Sequence, residues 1–158
     1  PPLSPNKTVY STVNLMDATT DSTPDRDLYE LTIREAIATE LPTVVVFAAP
    51  GFCTSPTCGP QVDTLSELKT LYLGKANFIH VELYNSPQEI KGGLGKKIFH
   101  PLVAEWGFTS IPSWDNESWT FILNRDGRIA EKFEGFVTLR ELEKVLKQVI
   151  SGIQHVKS

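Results

Sequence analysis

The stretch TVVVFAAPGFCTSPTCGPQ, residues 43–61, joins an apolar run to the only two cysteines of the chain, Cys53 and Cys58. Residues 43–47 are β-branched and apolar without alternation, a pattern typical of a central strand that is covered on both faces. The Ser-Pro pair at 55–56 predicts a helix start, because serine is a good N-cap and proline fits the first helical position. The stretch therefore predicts a buried strand that leads into a helix, with the cysteine pair at the junction.

The spacing of the two cysteines limits how they can pair. Five positions along a regular helix rise about 7.5 Å and turn the side chains about 140° apart, whereas a disulfide needs Cα atoms about 4.4–6.8 Å apart. A helix start between the cysteines removes the conflict, because Cys53 then lies in the loop before the cap and Cys58 takes the third helical position. We expect the loop to fold Cys53 back over the first turn.

The same placement bears on reactivity. Unpaired amide N–H groups and the positive end of the helix dipole stabilise a thiolate at a helix start. Cys53 precedes the helix and follows a Pro-Gly-Phe turn, so we expect it to be the nucleophile and Cys58 to be the resolving cysteine. The sequence offers no nearby acid or base, which favours a weak or specialised redox activity. The alternative is a stabilising disulfide, although closing so short a loop contributes only about 2 kcal/mol.

The rest of the chain predicts a mixed sheet with helices on both faces. Capping boxes at Thr32/Glu35 and Thr138/Glu141 mark two helix starts. Parallel crossovers early in the chain and a hairpin near its end give an α/β fold of three layers. The further expected elements are helices at 31–41 and 101–106, strands at 77–84, 119–124 and 128–133, and a solvated loop at 85–97.

The domain organisation follows from composition. Residues 1–27 are rich in proline and small polar residues, and we interpret them as an irregular N-terminal extension with one short strand at 8–15. Residues 28–152 form the expected domain, and residues 153–158 a C-terminal tail. The opening PPLSPNK is interpreted as a tether or a trimmed terminus, so attachment to a membrane through a preceding segment is an expectation.

Composition also narrows the class of protein. The chain has 158 residues, of which 41% are hydrophobic and 22% charged, and this fits one folded domain. A net charge of -4, without a basic stripe, argues against nucleic acid as a partner. The longest apolar run, residues 44–50, is far too short to span a bilayer, and two cysteines cannot make a disulfide-rich scaffold.

Over roughly residues 30–150 the chain resembles the thioredoxin-like superfamily. A buried strand, VVVF, runs into the cysteine pair, and PQVDTLSEL after Cys58 falls in step with the family's helix when Cys58 is placed on its second cysteine. WGFTSIPS, residues 106–113, is similar to the family's segment that leads to a cis-proline. The resemblance implies the three-layer thioredoxin-like fold, thiol–disulfide chemistry at Cys53 and Cys58, and no cofactor.

The chain departs from the family's pattern in three respects. The motif is C-x-x-x-x-C, and Val45 and Val46 lie where thioredoxins carry a buried aspartate. The proline position is open, because counting forward from Gly107 selects Pro112 whereas counting back from Asp126-Gly127 selects Ser118. Further substrate contacts are expected from two aromatic residues beside the motif and in the polar insertion near 113–118: Phe52 and Trp114.

Two related families and one other class remain as alternatives. Peroxiredoxins carry a P-G-C-T-x-x-x-C run similar to PGFCTSPTC, but their activating threonine is replaced here by Pro50. Copper chaperones of the superfamily use C-x-x-x-C with a late histidine, whereas His80, His100 and His155 are scattered, so no metal site is expected. A non-catalytic binding module with the same fold is the third alternative.

These observations together predict an extracytoplasmic thiol–disulfide oxidoreductase that acts on protein or small-molecule thiols and disulfides. The location is inferred from the single cysteine pair, the polar lead and the absence of other thiols.

Overall fold

The computed structural model describes residues 4–53, 56–93 and 97–152. A four-stranded sheet lies at its centre, with the strands in the order β2-β1-β3-β4. β1 pairs with β2 in parallel, and the β1–β3 and β3–β4 pairs are antiparallel. This confirms the predicted mixed sheet, whose strands are β1 (Thr43–Ala48), β2 (Asn77–Glu82), β3 (Trp119–Leu123) and β4 (Ile129–Glu134).

The central strand β1 divides the core in two. All six of its residues are buried, which is why the run needs no polar alternation. Val44, Val46 and Ala48 pack on one face with residues of α2 (Cys58–Leu71) and α5 (Leu139–Ile150). Val45 and Phe47 pack on the other face with residues of α1 (Ile33–Ala38) and α4 (Pro101–Glu105). The three-layer α/β architecture is therefore confirmed.

Two helix starts follow the predicted capping chemistry. Thr32 and Glu35 form the full capping box of α1, and the Thr138 hydroxyl accepts from the Glu141 amide at the start of α5. The predicted loop at 85–97 is wrong in part, since a short helix α3 (Pro87–Lys91) lies within it. Proline at the first helical position explains the start of α3. Residues 94–96 of the glycine-rich run lie outside the described residues.

The start of α2 differs from the prediction. The helix begins at Cys58, and Pro56 and Thr57 lie in the preceding turn, so Cys58 is the first helical residue rather than the third. The Thr57 carbonyl accepts the first helical bond, from Gln61 N at 2.9 Å. Pro60 is tolerated in this first turn because its missing N–H would have no partner within the helix. Ser55, the predicted cap, lies outside the described residues.

The N-terminal segment is irregular, as predicted, but the strand expected at 8–15 is wrong. Side chains there bond to the local backbone instead: Thr8 N donates to Ser11 Oγ, and Thr12 Oγ1 donates to Thr8 O. Such local bonds compete with a strand ladder. The segment contains two 3-10 helices, Leu15–Asp17 and Arg26–Tyr29.

This segment also packs against the rest of the fold. Thr19 and Thr20 are buried, and Lys69 of α2 pairs with Asp25 at 2.5 Å and with Asp27 at 2.9 Å. The boundary at residue 28 stays a prediction. Among the described residues, no helix combines the length and apolar character that crossing a membrane requires.

Candidate dithiol site

Cys53 and Cys58 form a disulfide across the start of α2. Their Cα atoms are 6.0 Å apart, within the range that a disulfide needs. The chain reaches this distance because it turns back after β1: the amides of Phe52 and Cys53 both donate to the Ala49 carbonyl at 2.9 Å. The expectation that Cys53 folds back over the first turn of α2 is therefore confirmed.

The two sulfurs differ in exposure. Cys58, the first residue of α2, is fully buried in the core on the α2 face of the sheet. Cys53 is half-buried and packs against the same core. A substrate approaching from solvent would meet Cys53 first. This geometry agrees with Cys53 as nucleophile, although the two chemical roles stay predictions.

At the start of α2, the described N-cap residue does not cap the helix with its side chain. The N-cap residue Thr57 makes no capping hydrogen bond, and its hydroxyl donates to Glu117 Oε1 at 3.1 Å instead. The amides of the first turn are therefore not occupied by the cap side chain. Such amides and the positive end of the helix dipole favour a thiolate.

Asn116 is the residue that the sequence analysis missed. Its backbone carbonyl lies 3.2 Å from Cys53 Sγ and 3.8 Å from Cys58 Sγ. Its side-chain amide donates to the Phe52 carbonyl at 2.8 Å and to the Tyr84 hydroxyl at 3.2 Å. One buried residue thus faces both sulfurs and holds the turn that leads to Cys53.

Pro112 and Ser118, the two positions considered for a cis-proline, lie in different surroundings. Ser118 directly precedes β3 and is buried, two residues after Asn116, whereas Pro112 is exposed in a turn. No cis peptide bond occurs among the described residues, so the cis-proline expected at Pro112 is not found. A substrate contact by Pro112 or Ser118 stays a prediction.

A row of aromatic side chains begins next to Cys53. The ring centroids of Phe52 and Tyr84 are 6.4 Å apart, those of Tyr84 and Phe99 5.3 Å, and those of Phe99 and Trp114 5.3 Å. Lys97 Nζ lies 5.0 Å from the Phe52 ring centroid. Trp114 is half-buried: its ring packs on Phe99 and Phe108, and its indole N–H donates to the Glu117 carbonyl. Phe52 and Trp114, the two aromatic residues expected to bind substrate, are therefore connected by ring contacts through Tyr84 and Phe99.

A buried carboxyl lies at the end of β2, which the sequence analysis did not identify. Glu82 is buried beside the last residue of β1, Ala48. Burial raises the pKa of Glu82 to about 7, although hydrogen bonds from Thr20 lower it. No pattern near the motif indicated this residue, because it lies on the neighbouring strand.

His80 and His100 have structural partners. His80 is buried between the Tyr29 hydroxyl, 2.7 Å from Nδ1, and the Ala48 carbonyl, 2.9 Å from Nε2. Burial lowers the pKa of His80 to about 4. His100 caps α4, accepting from the Leu102 amide at 3.1 Å. His155 lies outside the described residues, and within those residues no cluster of three or more His, Cys, Asp or Glu could hold a metal ion.

No family model matches the sequence, and no curated protein matches it. Solved structures with a similar fold were found. A thiol:disulfide interchange protein of the thioredoxin family from Chlorobium tepidum TLS has a TM-score of 0.51 at 12% identity, covering 76% of this chain and 86% of that chain. StoA from Bacillus subtilis has a TM-score of 0.48 at 17% identity, with coverages of 73% and 87%. For Trgpx in its apo form the TM-score is 0.41 at 14% identity, with coverages of 71% and 82%.

Of these three, the first carries the fold assignment, because its TM-score is above 0.5. The strand order and the position of the cysteine pair at the start of α2 agree with it. The chain therefore has the thioredoxin-like fold, with its disulfide-forming cysteines in an atypical C-x-x-x-x-C motif.

Proposed function

We propose that the protein is a thiol–disulfide oxidoreductase in which Cys53 is the nucleophile and Cys58 the resolving cysteine. The observation that carries the proposal is the disulfide at the start of α2, with a half-buried Cys53 and a fully buried Cys58. The similar Chlorobium tepidum structure is named a thiol:disulfide interchange protein, which supports the same class of reaction.

The reaction needs only the two cysteines and a substrate disulfide. The Cys53 thiolate attacks one substrate sulfur, the substrate S–S bond breaks, and the leaving thiolate takes up a proton. The Cys58 thiolate then attacks Cys53 Sγ in the mixed disulfide and expels the second substrate thiolate. Two electrons pass from the protein to the substrate, and the Cys53–Cys58 bond forms again. The same steps in reverse oxidise a dithiol.

The surroundings of Cys53 support a protein or small organic substrate. The aromatic row begins at Phe52, the residue that precedes Cys53, so a substrate bound at Cys53 would contact Phe52, and Trp114 lies three ring contacts farther along the row. Pro112, which is exposed, and Ser118, which is buried directly before β3, are the two proposed substrate contacts in the segment after the motif. No cofactor is part of the proposed reaction.

A trapping experiment tests the assignment of roles. The chain has two cysteines, so each single variant leaves one defined thiol. With a peptide disulfide as substrate, Cys58→Ser should accumulate a mixed disulfide at Cys53, visible by mass spectrometry. Cys53→Ser is the matched control and should trap little, because Cys58 is fully buried. Equal trapping by both variants would contradict the assigned roles.

Turnover separates the proposal from its alternatives. Wild type should reduce the peptide disulfide catalytically with a dithiol reductant, and neither single variant should. A wild-type protein that holds the disulfide but gives no Cys53-dependent turnover would support the non-catalytic binding module instead. Consumption of hydrogen peroxide that is lost in Cys53→Ser would support a peroxidase.

An extracytoplasmic location belongs to the same proposal, because disulfides persist in oxidising compartments. Rapid acid quenching of cells followed by thiol alkylation reports the redox state of the couple in place. A mainly oxidised couple in an exported fraction would agree with the proposed location. A fully reduced couple in the cytosolic fraction would overturn it.

A further inference from the structure

The buried carboxyl of Glu82 lies on the same face of the sheet as the disulfide. Side chains alternate along a strand, and Phe78 of β2 packs in the core that contains Cys58. His80 and Glu82, two and four residues further on, therefore face that side as well. Glu82 is the last residue of β2 and pairs in register with Ala48, directly before the turn that leads to Cys53.

Hydrogen bonds connect Glu82 to that turn through Thr20. Glu82 Oε1 accepts from Thr20 N at 2.5 Å and from Thr20 Oγ1 at 2.7 Å. Because the hydroxyl proton of Thr20 points to Glu82, its oxygen is free to accept from Gly51 N, at 3.0 Å. We call these three residues the Glu82–Thr20–Gly51 chain.

The contact between Thr20 and Gly51, the last in the Glu82–Thr20–Gly51 chain, is close-packed. A Cβ placed on Gly51 would lie 2.8 Å from the Thr20 carbonyl and 3.1 Å from Thr20 Cβ. The backbones of the N-terminal segment and of the turn therefore touch, two residues before Cys53. A shift of Thr20 must move the turn with it, since close-packed atoms transmit displacement.

We propose that Glu82 is a positioning residue of the Cys53–Cys58 couple: through Thr20, its ionised carboxylate holds the turn in the position that the disulfide requires, and its protonation favours the dithiol. An ionised acceptor makes hydrogen bonds about twice as strong as a neutral one. The inference rests on the proposed function only in that the couple must be reducible.

The other titratable groups that face this corner are Tyr29, His80 and Asp21. Burial raises the pKa of Tyr29 above its ordinary value and lowers that of His80 to about 4, so both are neutral near pH 7. With a pKa raised by burial to about 7, Glu82 changes charge within the physiological range. Glu82 is also the group of these four that bonds to Thr20 and, through Thr20, to Gly51 in the turn, so the geometry assigns the linkage to Glu82.

Exchange with glutathione between pH 5.5 and 8 tests the proposal. Two glutathione thiols are consumed for every two protein thiols that form, so the exchange itself takes up no protons. At pH values well below the pKa of the thiols, the equilibrium constant therefore depends on pH only through another group whose titration is linked to the couple. As the pH rises, the equilibrium constant for reducing the disulfide to the dithiol should fall by about fivefold or more in wild type relative to Glu82→Gln. A factor of about five is the low end of typical coupling between two sites. Thr20→Val, which removes the hydroxyl link, should behave like Glu82→Gln.

Two matched controls separate positioning from a general loss of stability. Thr19→Val changes the neighbouring buried threonine, whose hydroxyl oxygen accepts from Asp21 N rather than from Gly51. Glu67→Gln makes the same change at an exposed carboxyl of α2. Both variants should keep the wild-type pH dependence, and unfolding curves check that all four variants are folded.

Equal pH dependence in wild type and Glu82→Gln would overturn the proposal, as would equal effects of Thr19→Val and Thr20→Val. The proposed function can fail separately: a pH-linked couple without turnover on any substrate disulfide would leave this inference standing. A couple that neither glutathione nor dithiothreitol reduces would overturn both.

Discussion

The turn that carries Cys53 is held from two sides by different chemistry. On one side, the neutral amide of Asn116 donates to the Phe52 carbonyl and to the Tyr84 hydroxyl. On the other side, the Glu82 carboxyl holds Gly51 through Thr20. An amide has the same charge at every physiological pH, whereas a carboxyl with a pKa near 7 does not. We therefore expect the Asn116 contacts to hold the turn equally at every pH, and the contact through Glu82 to depend on pH.

The two sides also come from different parts of the chain. Asn116 lies in the segment directly before β3, and Thr20 lies in the N-terminal segment. Both segments contact the turn from more than 30 positions away along the sequence. A segment that composition describes as an irregular extension therefore contributes directly to the surroundings of the candidate site.

The largest effect is expected from the titration of Glu82. Burial raises its pKa from 4.5 to about 7, so its contribution to stability is full below about pH 4.5 and is lost as the pH rises through 7. At about 1.4 kcal/mol per pKa unit, wild type should lose about 3 kcal/mol relative to Glu82→Gln between pH 4.5 and 8. Urea unfolding of both proteins at a series of pH values measures the difference.

His80 must be considered in the same experiment, because its titration changes the unfolding free energy with pH in the opposite direction to that of Glu82. Burial lowers its pKa from 6.5 to about 4, so its contribution is present above pH 6.5 and lost as the pH falls through 4. The stability of wild type should therefore change little between about pH 4.5 and 6.5, where that of Glu82→Gln should rise. Parallel profiles would show that Glu82 is not the titrating group.

Asn116→Ala tests the neutral side of the comparison. It removes two hydrogen bonds at a buried position and leaves the Phe52 carbonyl without this donor, which should cost about 2 kcal/mol of unfolding free energy. Tyr84→Phe removes one of the two bonds and should cost about half as much. Urea unfolding at pH 5.5 and 8 should give the same loss for Asn116→Ala, and a loss that depends on pH would contradict the assignment of a neutral contact.

The smallest effect is expected from Gly51→Ala, which tests the close contact between Gly51 and Thr20. A second glycine variant measures the general effect of replacing glycine by alanine. Gly51→Ala places a Cβ 2.8 Å from the Thr20 carbonyl and should destabilise by about 1–2 kcal/mol through overpacking. Gly92→Ala is the control, since its φ is -77° and its Cβ would lie at an ordinary 3.5 Å from the nearest atom. Thermal unfolding should show no loss for Gly92→Ala. Equal losses in both variants would mean that Thr20 does not pack tightly on the turn.

Much of the fold could be predicted because its signals are local. The apolar run of β1, the capping boxes of α1 and α5 and the Asp126-Gly127 turn each lie within a few residues of the structure they form. The start of α2 was predicted two residues early, because two prolines, Pro56 and Pro60, each fit a first helical turn. The strand expected at 8–15 does not form, because hydrogen bonds from local side chains to the backbone compete with strand pairing in this short polar segment.

By itself the sequence determined that the chain forms a mixed α/β sheet and that its cysteine pair lies at a helix start, because strand and helix periods and caps are local properties. Only the tertiary structure decided which residues surround that pair. Asn116 reaches Cys53 across 63 positions, and Thr20 reaches Glu82 across 62. Neither contact leaves a local pattern, because it depends on how strands β1, β2 and β3 align and on where the N-terminal segment packs.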